Sequence, residues 1–179
     1  GGRNILEGQN QDNYIVISGI VGNLGHILIG LIISWVMTFL FRFKDMSFYN
    51  LIKIIILFFI YIITLLFWFN IGIRSTRKIK GKYRLIGLVT AITSILPAAF
   101  FTILCHLLSI ASRDASSLTK WNIFHLVGGP TLFWHRPFSF ISEIFPRIGN
   151  GYIIFYSNLI LVGLLVFLGS IFFKSSAKQ

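Results

Sequence analysis

Acidic side chains are scarce in this sequence of 179 residues, which has five Asp and Glu against 16 Lys and Arg. All five lie outside the long apolar stretches, at Glu7, Asp12, Asp45, Asp114 and Glu143. Proton- or cation-coupled transporters usually carry buried carboxylates, and membrane hydrolases usually need a carboxylate pair, a metal cluster or an activated serine. The sequence carries no signature of either class.

Cysteine is scarce as well, because Cys105 is the single one and lies within an apolar stretch. One cysteine cannot close a disulfide within the chain, and the sequence has no Cys/His spacing typical of a metal site. We therefore predict no cofactor, with haem or metal binding through histidine as open alternatives.

Charged residues of both signs make up only 12% of the chain, whereas 55% of its residues are hydrophobic and the mean hydropathy is +0.81. A soluble globular domain is about 45–50% apolar and about 25% charged. A water-soluble protein of this length could not bury so much apolar surface, so lipid is the expected solvent. The sequence predicts an all-α integral membrane protein that contacts the lipid bilayer through about four transmembrane helices.

Four apolar stretches are long enough to cross the hydrocarbon core, which takes about 20 helical residues. We predict one transmembrane domain over residues 14–174, after a polar segment 1–13 and before a polar tail 175–179. Its spans are predicted near 15–40, 51–73, 85–110 and 152–173. The first apolar stretch, from Tyr14 to Phe43, is too long for an upright crossing, so we expect a tilt or an interfacial end.

The connector between the third and fourth spans, residues 111–151, is rich in aromatic residues. Its later part has apolar residues at roughly helical spacing, at Phe138, Ile141, Phe145 and Ile148. This spacing predicts a short amphipathic helix in the headgroup plane, ended by Pro146 and Gly149. The Gly128-Gly129-Pro130 sequence predicts a turn before that helix.

A basic run connects the second and third spans and consists of Arg74, Arg77, Lys78, Lys80, Lys82 and Arg84. The positive-inside rule places it and both termini on the cytoplasmic or matrix side of a bacterial plasma membrane or an organellar inner membrane. Arg42, Lys44 and Lys53 in the opposite loop argue against this orientation. The run can also bind lipid headgroups or an acidic partner surface. Because the cations flank apolar spans, we expect no nucleic-acid partner.

Two stripes of small or polar residues recur at every fourth position. The first span carries Ser18, Gly22, His26, Gly30 and Ser34, and the third span carries Thr90, Ser94, Ala98, Thr102 and His106. Small residues at this spacing let another helix backbone approach closely. We expect the stripes to pack against each other or against a partner protein, with ordinary membrane-helix composition as the alternative explanation.

The four histidines are the remaining candidates for chemistry. His26 and His106 lie within spans, where ionisable residues are functional candidates. A shared haem needs two histidines at similar depth, but these two are offset by about 10 Å along their helices. We favour neutral histidines that bond to neighbouring helices. His125 and His135 in the connector are interpreted as interfacial residues, with metal binding as the alternative.

Three functions fit these features. The first is a non-catalytic membrane subunit that packs within and supports a larger complex, with partner membrane proteins or self-association. The second is a small channel or transporter component acting as an oligomer, for which the Thr/Ser stripe of the third span is the candidate pore lining. The third is a membrane enzyme or haem protein that depends on its histidines.

Overall fold

The computed structural model describes residues 2–77, 83–114, 116–146 and 151–176, with side chains from Ile17 to Phe172 in these ranges. Every regular element in these ranges is helical. Four helices are long and apolar enough to span a membrane, over Ile17–Phe43, Tyr49–Thr76, Tyr83–Ala111 and Gly151–Phe172. The predicted all-α membrane architecture with four spanning helices is confirmed.

Helix α1 runs over Gly2–Leu40 and continues into a 3-10 turn at Phe41–Phe43. Its 39 residues extend for about 58 Å at 1.5 Å per residue, which exceeds the ~30 Å of a hydrocarbon core. The polar segment before the first apolar stretch is therefore part of the same helix. Helices α2 (Tyr49–Thr76) and α3 (Tyr83–Ala111) follow, and Pro97 lies inside α3.

The connector between α3 and the last long helix is a chain of short helices rather than a loop. It comprises α4 (Ser117–Ile123), a π-helical turn (Phe124–Gly128), α5 (Gly129–His135), a 3-10 turn (Arg136–Phe138) and α6 (Ser139–Ile144). Helix α7 (Gly151–Ser176) then completes the fold.

The prediction of a turn at Gly128-Gly129-Pro130 is wrong, because the chain stays helical there. Gly128 and Gly129 both have right-handed helical backbone angles. Pro130 lies in the first turn of α5, a position that suits proline because its ring fixes a helical φ. The predicted amphipathic helix ends earlier than expected, because α6 stops at Ile144 and Phe145 has non-helical backbone angles. Ile148 and Gly149 lie outside the described residues.

The chain divides into two compact units, and each long helix contributes a segment to both. The first unit comprises the described residues of Gly1–Gly25, Leu65–Leu96 and Ile160–Gln179. The second comprises those of His26–Thr64 and Pro97–Leu159, including the helical connector.

In the first unit, α2 and α7 cross at two glycines that admit no side chain. A Cβ atom on Gly72 would overlap the carbonyl oxygen of Val166, and one on Gly169 would overlap the carbonyl oxygen of Phe69. The Thr76 hydroxyl donates to the Ser170 carbonyl oxygen at 3.1 Å. Backbone contact of this kind is how membrane helices without a hydrophobic driving force gain packing energy.

Helix α1 joins the same unit through a glycine and an asparagine. A Cβ atom on Gly22 would lie 2.7 Å from a ring carbon of Trp68, which is fully buried. The Asn23 amide donates to the carbonyl oxygens of Gly19 and Ser94, each at 2.9 Å. The second bond links α1 to α3.

Candidate functional site: a buried histidine cluster in the second unit

The first histidine of the cluster, His26, links α1 to the connector. Its side chain is fully buried, and its Nε2 atom lies 2.7 Å from the carbonyl oxygen of Trp134. Because a carbonyl oxygen only accepts, Nε2 carries the hydrogen and donates it. The imidazole also packs on two aromatic rings of the connector, with centroid separations of 4.6 Å to Trp134 and 5.6 Å to Phe138.

The second histidine, His135, lies at the end of α5 and binds two other helices. Its Nδ1 accepts from the Asn158 amide of α7 at 3.3 Å, so its hydrogen is on Nε2. That Nε2 lies 3.1 Å from the Thr102 hydroxyl of α3 and donates to it. The imidazole stacks on Phe155 at a centroid distance of 4.3 Å and an angle of 8°.

Burial controls the charge of His135. Desolvation of the buried ring, together with the smaller effect of the nearby His26, lowers the pKa of His135 to about 3, since two positive imidazoles would repel. The ring is therefore neutral near pH 7. A neutral imidazole with one donor and one acceptor matches the Thr102 hydroxyl and the Asn158 amide.

The interpretation of His135 as an interfacial residue is wrong, because its side chain is only 4% exposed. The end of α5 and the 3-10 turn after it, which contains the fully buried Phe138, lie in the interior of the second unit. His125, by contrast, is exposed and contacts Trp121 at a centroid distance of 4.1 Å. Histidines ten residues apart thus have different roles, which their spacing in the sequence does not indicate.

Two further contacts attach the connector within this unit. The Thr131 hydroxyl of α5 lies 2.8 Å from the Val127 carbonyl oxygen and 3.1 Å from that of Phe101 in α3. The Glu143 carboxylate of α6 pairs with the Lys53 ammonium of α2 at 2.7 Å. The connector is therefore bonded to all four long helices. Its partners are His26 of α1, Lys53 of α2, Phe101 and Thr102 of α3, and Asn158 of α7.

The stripe of α1 contacts aromatic side chains in both units. Gly22 faces Trp68 in the first unit, and His26 contacts Trp134 in the second. A Cβ atom on Gly30 would lie 3.3 Å from the ring of Phe133. The remaining two members are Ser18, which is half-buried, and Ser34, whose hydroxyl donates to the Gly30 carbonyl oxygen of its own helix.

The stripe of α3 is buried over most of its length. Its fully or almost fully buried members are Thr90, Ser94, Ala98 and Thr102. The Thr90 hydroxyl donates to the Ile86 carbonyl oxygen, whereas Thr102 bonds to His135. The last member, His106, has its Nδ1 2.9 Å from the Tyr156 hydroxyl of α7.

The basic run is described in part. Arg74 at the end of α2, Arg77 after it and Arg84 at the start of α3 are exposed. Lys78, Lys80 and Lys82 lie outside the described residues.

Sequence reasoning missed several partners of these residues. Trp134 contributes a backbone carbonyl oxygen, which no side-chain pattern reveals. Tyr156, Thr131 and Asn158 belong to none of the patterns that the sequence analysis identified. A buried asparagine in an apolar stretch needs a polar partner, so the sequence could have predicted that Asn158 bonds to another polar side chain.

Within the part of the chain that the structure describes, no three His, Cys, Asp or Glu side chains are close enough to hold a metal ion. No family model, curated protein or solved structure matches the chain. The four long apolar helices define its class, a multi-pass α-helical integral membrane protein in contact with lipid.

Proposed function

We propose that this protein is a non-catalytic multi-pass subunit that packs within and supports a larger membrane complex. The observation that carries the proposal is the outer face of α1. Large apolar side chains recur along it at spacings of three and four residues, and each is at least 40% exposed: Ile17, Ile20, Val21, Leu24, Ile27, Leu28, Leu31, Ile32 and Trp35. This continuous face is suited to a neighbouring helix as well as to lipid.

The distribution of burial among the four spans supports the same proposal. In the 18-residue apolar stretch of each spanning helix, 17% of the residues are buried in α1 and in α2, against 28% in α3 and 33% in α7. Helices α1 and α2 thus leave more surface for contacts outside the chain. The opposite side of α1 is already occupied by contacts such as that between Gly22 and Trp68.

The role of the buried histidines favours this function over a histidine-dependent enzyme. A general base must reach the proton that it removes from a substrate. His26 and His135 are 0% and 4% exposed, and each binds groups of the protein itself. Their geometry suits attachment of the connector to the spans.

The polar stripe of α3 favours a subunit over an oligomeric channel. A pore shared between copies would need polar side chains on an outer face, and this stripe was the candidate lining. Thr90, Ser94 and Thr102 are each fully buried within the unit to which they belong. They therefore do not lie where a shared axis could run.

The proposed orientation follows from the basic run. Arg74, Arg77 and Arg84 are exposed, so they can reach anionic lipid or an acidic partner surface on the cytoplasmic or matrix side. Both termini share that side in this proposal, in a bacterial plasma membrane or an organellar inner membrane. A tag at Gln179 should then resist labelling from the opposite side, and labelling there would overturn the orientation.

Site-specific photo-crosslinking in native membranes tests the subunit proposal. A crosslinker at Leu28 or Trp35 of α1 should give protein adducts, whereas matched positions on α7, Leu164 and Leu168, should give far fewer. All four side chains are more than half exposed, so accessibility does not distinguish them. Adducts at multiples of the 20.4 kDa chain would identify self-association. The proposal fails if α1 captures no protein and the purified chain is a lone monomer.

A further inference from the structure

A cavity of about 340 Å³ lies in the second unit where α3 ends and the connector begins. Its wall includes Ser112 and Arg113 at the end of α3, Lys120 and Phe124 from the connector, and Tyr152 from the start of α7. This volume lies in the range of small-molecule sites, about 300–1,000 Å³.

Two cations without a described salt-bridge partner give the cavity a positive charge. Neither Arg113 nor Lys120 has a salt-bridge partner among the residues that the structure describes. Of the two acids in this region of the sequence, Glu143 is paired with Lys53 and Asp114 forms no described ion pair. Asp114 is not part of the cavity wall, and even counted with the roughly half negative charge at the end of α3 it does not outweigh the two cations. The cavity therefore attracts an anion.

The uncharged side chains define what kind of anion fits. Ser112 is 9% exposed, and its hydroxyl forms no hydrogen bond with the described part of the chain, so it can donate to a ligand. The exposed ring of Phe124 and the side chain of Ile123 form an apolar wall beside the cations. Cations next to an apolar wall, just beyond the end of a membrane span, match an amphiphile with an anionic head.

We propose that this cavity binds the phosphate group of an anionic phospholipid. The Arg113 guanidinium can hold two phosphate oxygens at once, and the Lys120 ammonium supplies a second charge. The Ser112 hydroxyl donates to the same group, and Phe124 contacts the adjoining glycerol and acyl chain. Free phosphate shares the head-group chemistry but lacks the apolar part.

A second cavity of about 350 Å³ provides the matched control. It lies between α1, α2 and the connector, and its wall includes Lys53 and Arg136. Glu143 already neutralises Lys53, so this cavity has one uncompensated cation instead of two. The substitutions Arg136→Gln and Arg113→Gln make the same charge change at different cavities, which separates a specific site from general attraction to an anionic bilayer.

The experiment measures binding of fluorescent phosphatidylglycerol to the full-length protein in phosphatidylcholine nanodiscs. Arg113→Gln or Lys120→Gln should weaken binding by about tenfold or more, since each removes charged hydrogen bonds. Arg136→Gln should stay within about twofold. Arg113→Lys should recover part of the affinity, and unchanged melting temperatures should show that the variants fold.

Three results would overturn the proposal. If Arg136→Gln weakens binding as much as Arg113→Gln does, the cavity is not a phospholipid site. The same conclusion follows if neither Arg113→Gln nor Lys120→Gln weakens binding. Displacement of phosphatidylglycerol by millimolar inorganic phosphate would overturn the lipid as ligand and identify a soluble phosphate instead. Binding that prefers phosphatidylglycerol to phosphatidylcholine and resists inorganic phosphate supports it.

Discussion

The imidazole of His26 donates a hydrogen bond to the carbonyl oxygen of Trp134, 2.7 Å away and 108 residues later in the sequence. The bond joins α1 to α5 inside the second unit. In a lipid environment no water competes for the carbonyl oxygen, so the bond is formed within the protein. It shows how the connector is held against a membrane helix.

Removing the imidazole of His26 tests the strength of this attachment. His26→Leu should lower the free energy of unfolding by about 1–3 kcal/mol, because it removes a buried hydrogen bond and an aromatic contact. The melting temperature of the protein in detergent measures the effect. His125→Leu is the control, since that side chain is exposed and its loss should change stability by less than about 0.5 kcal/mol. Equal effects would contradict the structural role of His26.

The Thr102 hydroxyl is the acceptor for His135, and a nearly isosteric substitution can remove it alone. Thr102→Val should cost about 1–3 kcal/mol, because the buried Nε2–H of His135 loses its acceptor. Thr38→Val on α1 is the matched control, since the Thr38 hydroxyl is exposed and bonds only to its own helix. Thermal unfolding in the same detergent compares the two. A neutral Thr102→Val would show that His135 does not depend on this bond.

At the α2–α7 crossing of the first unit, we expect a Gly→Ala substitution to change stability in the direction opposite to the usual one. Gly→Ala inside a helix usually stabilises by about 0.5–1 kcal/mol. Gly72→Ala should instead destabilise by about 1–3 kcal/mol, because its Cβ would overlap the Val166 carbonyl oxygen. A Cβ on Gly163, inside α7, would lie 3.7 Å from the Ile95 side chain, which is an ordinary contact, so Gly163→Ala provides the control. Stabilisation by Gly72→Ala would mean that the helices do not cross this closely.

Acid should destabilise the protein through His135. Below its ordinary pKa of about 6.5, the unfolded chain binds a proton on this residue, whereas the folded chain does not until the pH approaches about 3. Since the unfolded state binds more protons, the free energy of unfolding falls as the pH decreases through this window, by at most about 1.4 kcal/mol per pH unit. Melting temperatures measured between about pH 7.5 and 4.5 check the slope.

A variant separates this contribution from other titrations. His135→Gln should have a shallower pH dependence than the unmodified protein, because the residue that resists protonation is gone. Identical slopes in the two proteins would show that His135 does not control acid stability.

The spanning helices could be predicted from hydropathy, but their contacts could not. Any helix in lipid satisfies its own backbone, so a long apolar stretch is sufficient to predict one. The stripe on α1 indicated a face that admits close approach, yet Gly22 meets an indole ring and Gly30 a phenylalanine of the connector. A small residue permits close packing, but it does not indicate which residue will pack against it.

The connector shows the opposite case, in which local signals were misleading. Gly128-Gly129-Pro130 is typical of a turn, but both glycines tolerate helical angles and Pro130 fits the first turn of α5. The aromatic content indicated an interfacial position, whereas Phe138 and His135 are buried. Aromatic residues suit a membrane interface and a protein interior equally, so composition could not distinguish the two.

The sequence by itself determined the solvent, the number of spans and the helical class, because each depends on the length and hydropathy of single stretches. The tertiary structure decided how the histidines are used. The Nδ1 of His135 accepts from an amide 23 residues later, and its Nε2 meets a hydroxyl 33 residues earlier. Such bonds join groups that are distant in sequence, so the packing of helices, and no local pattern, determines them.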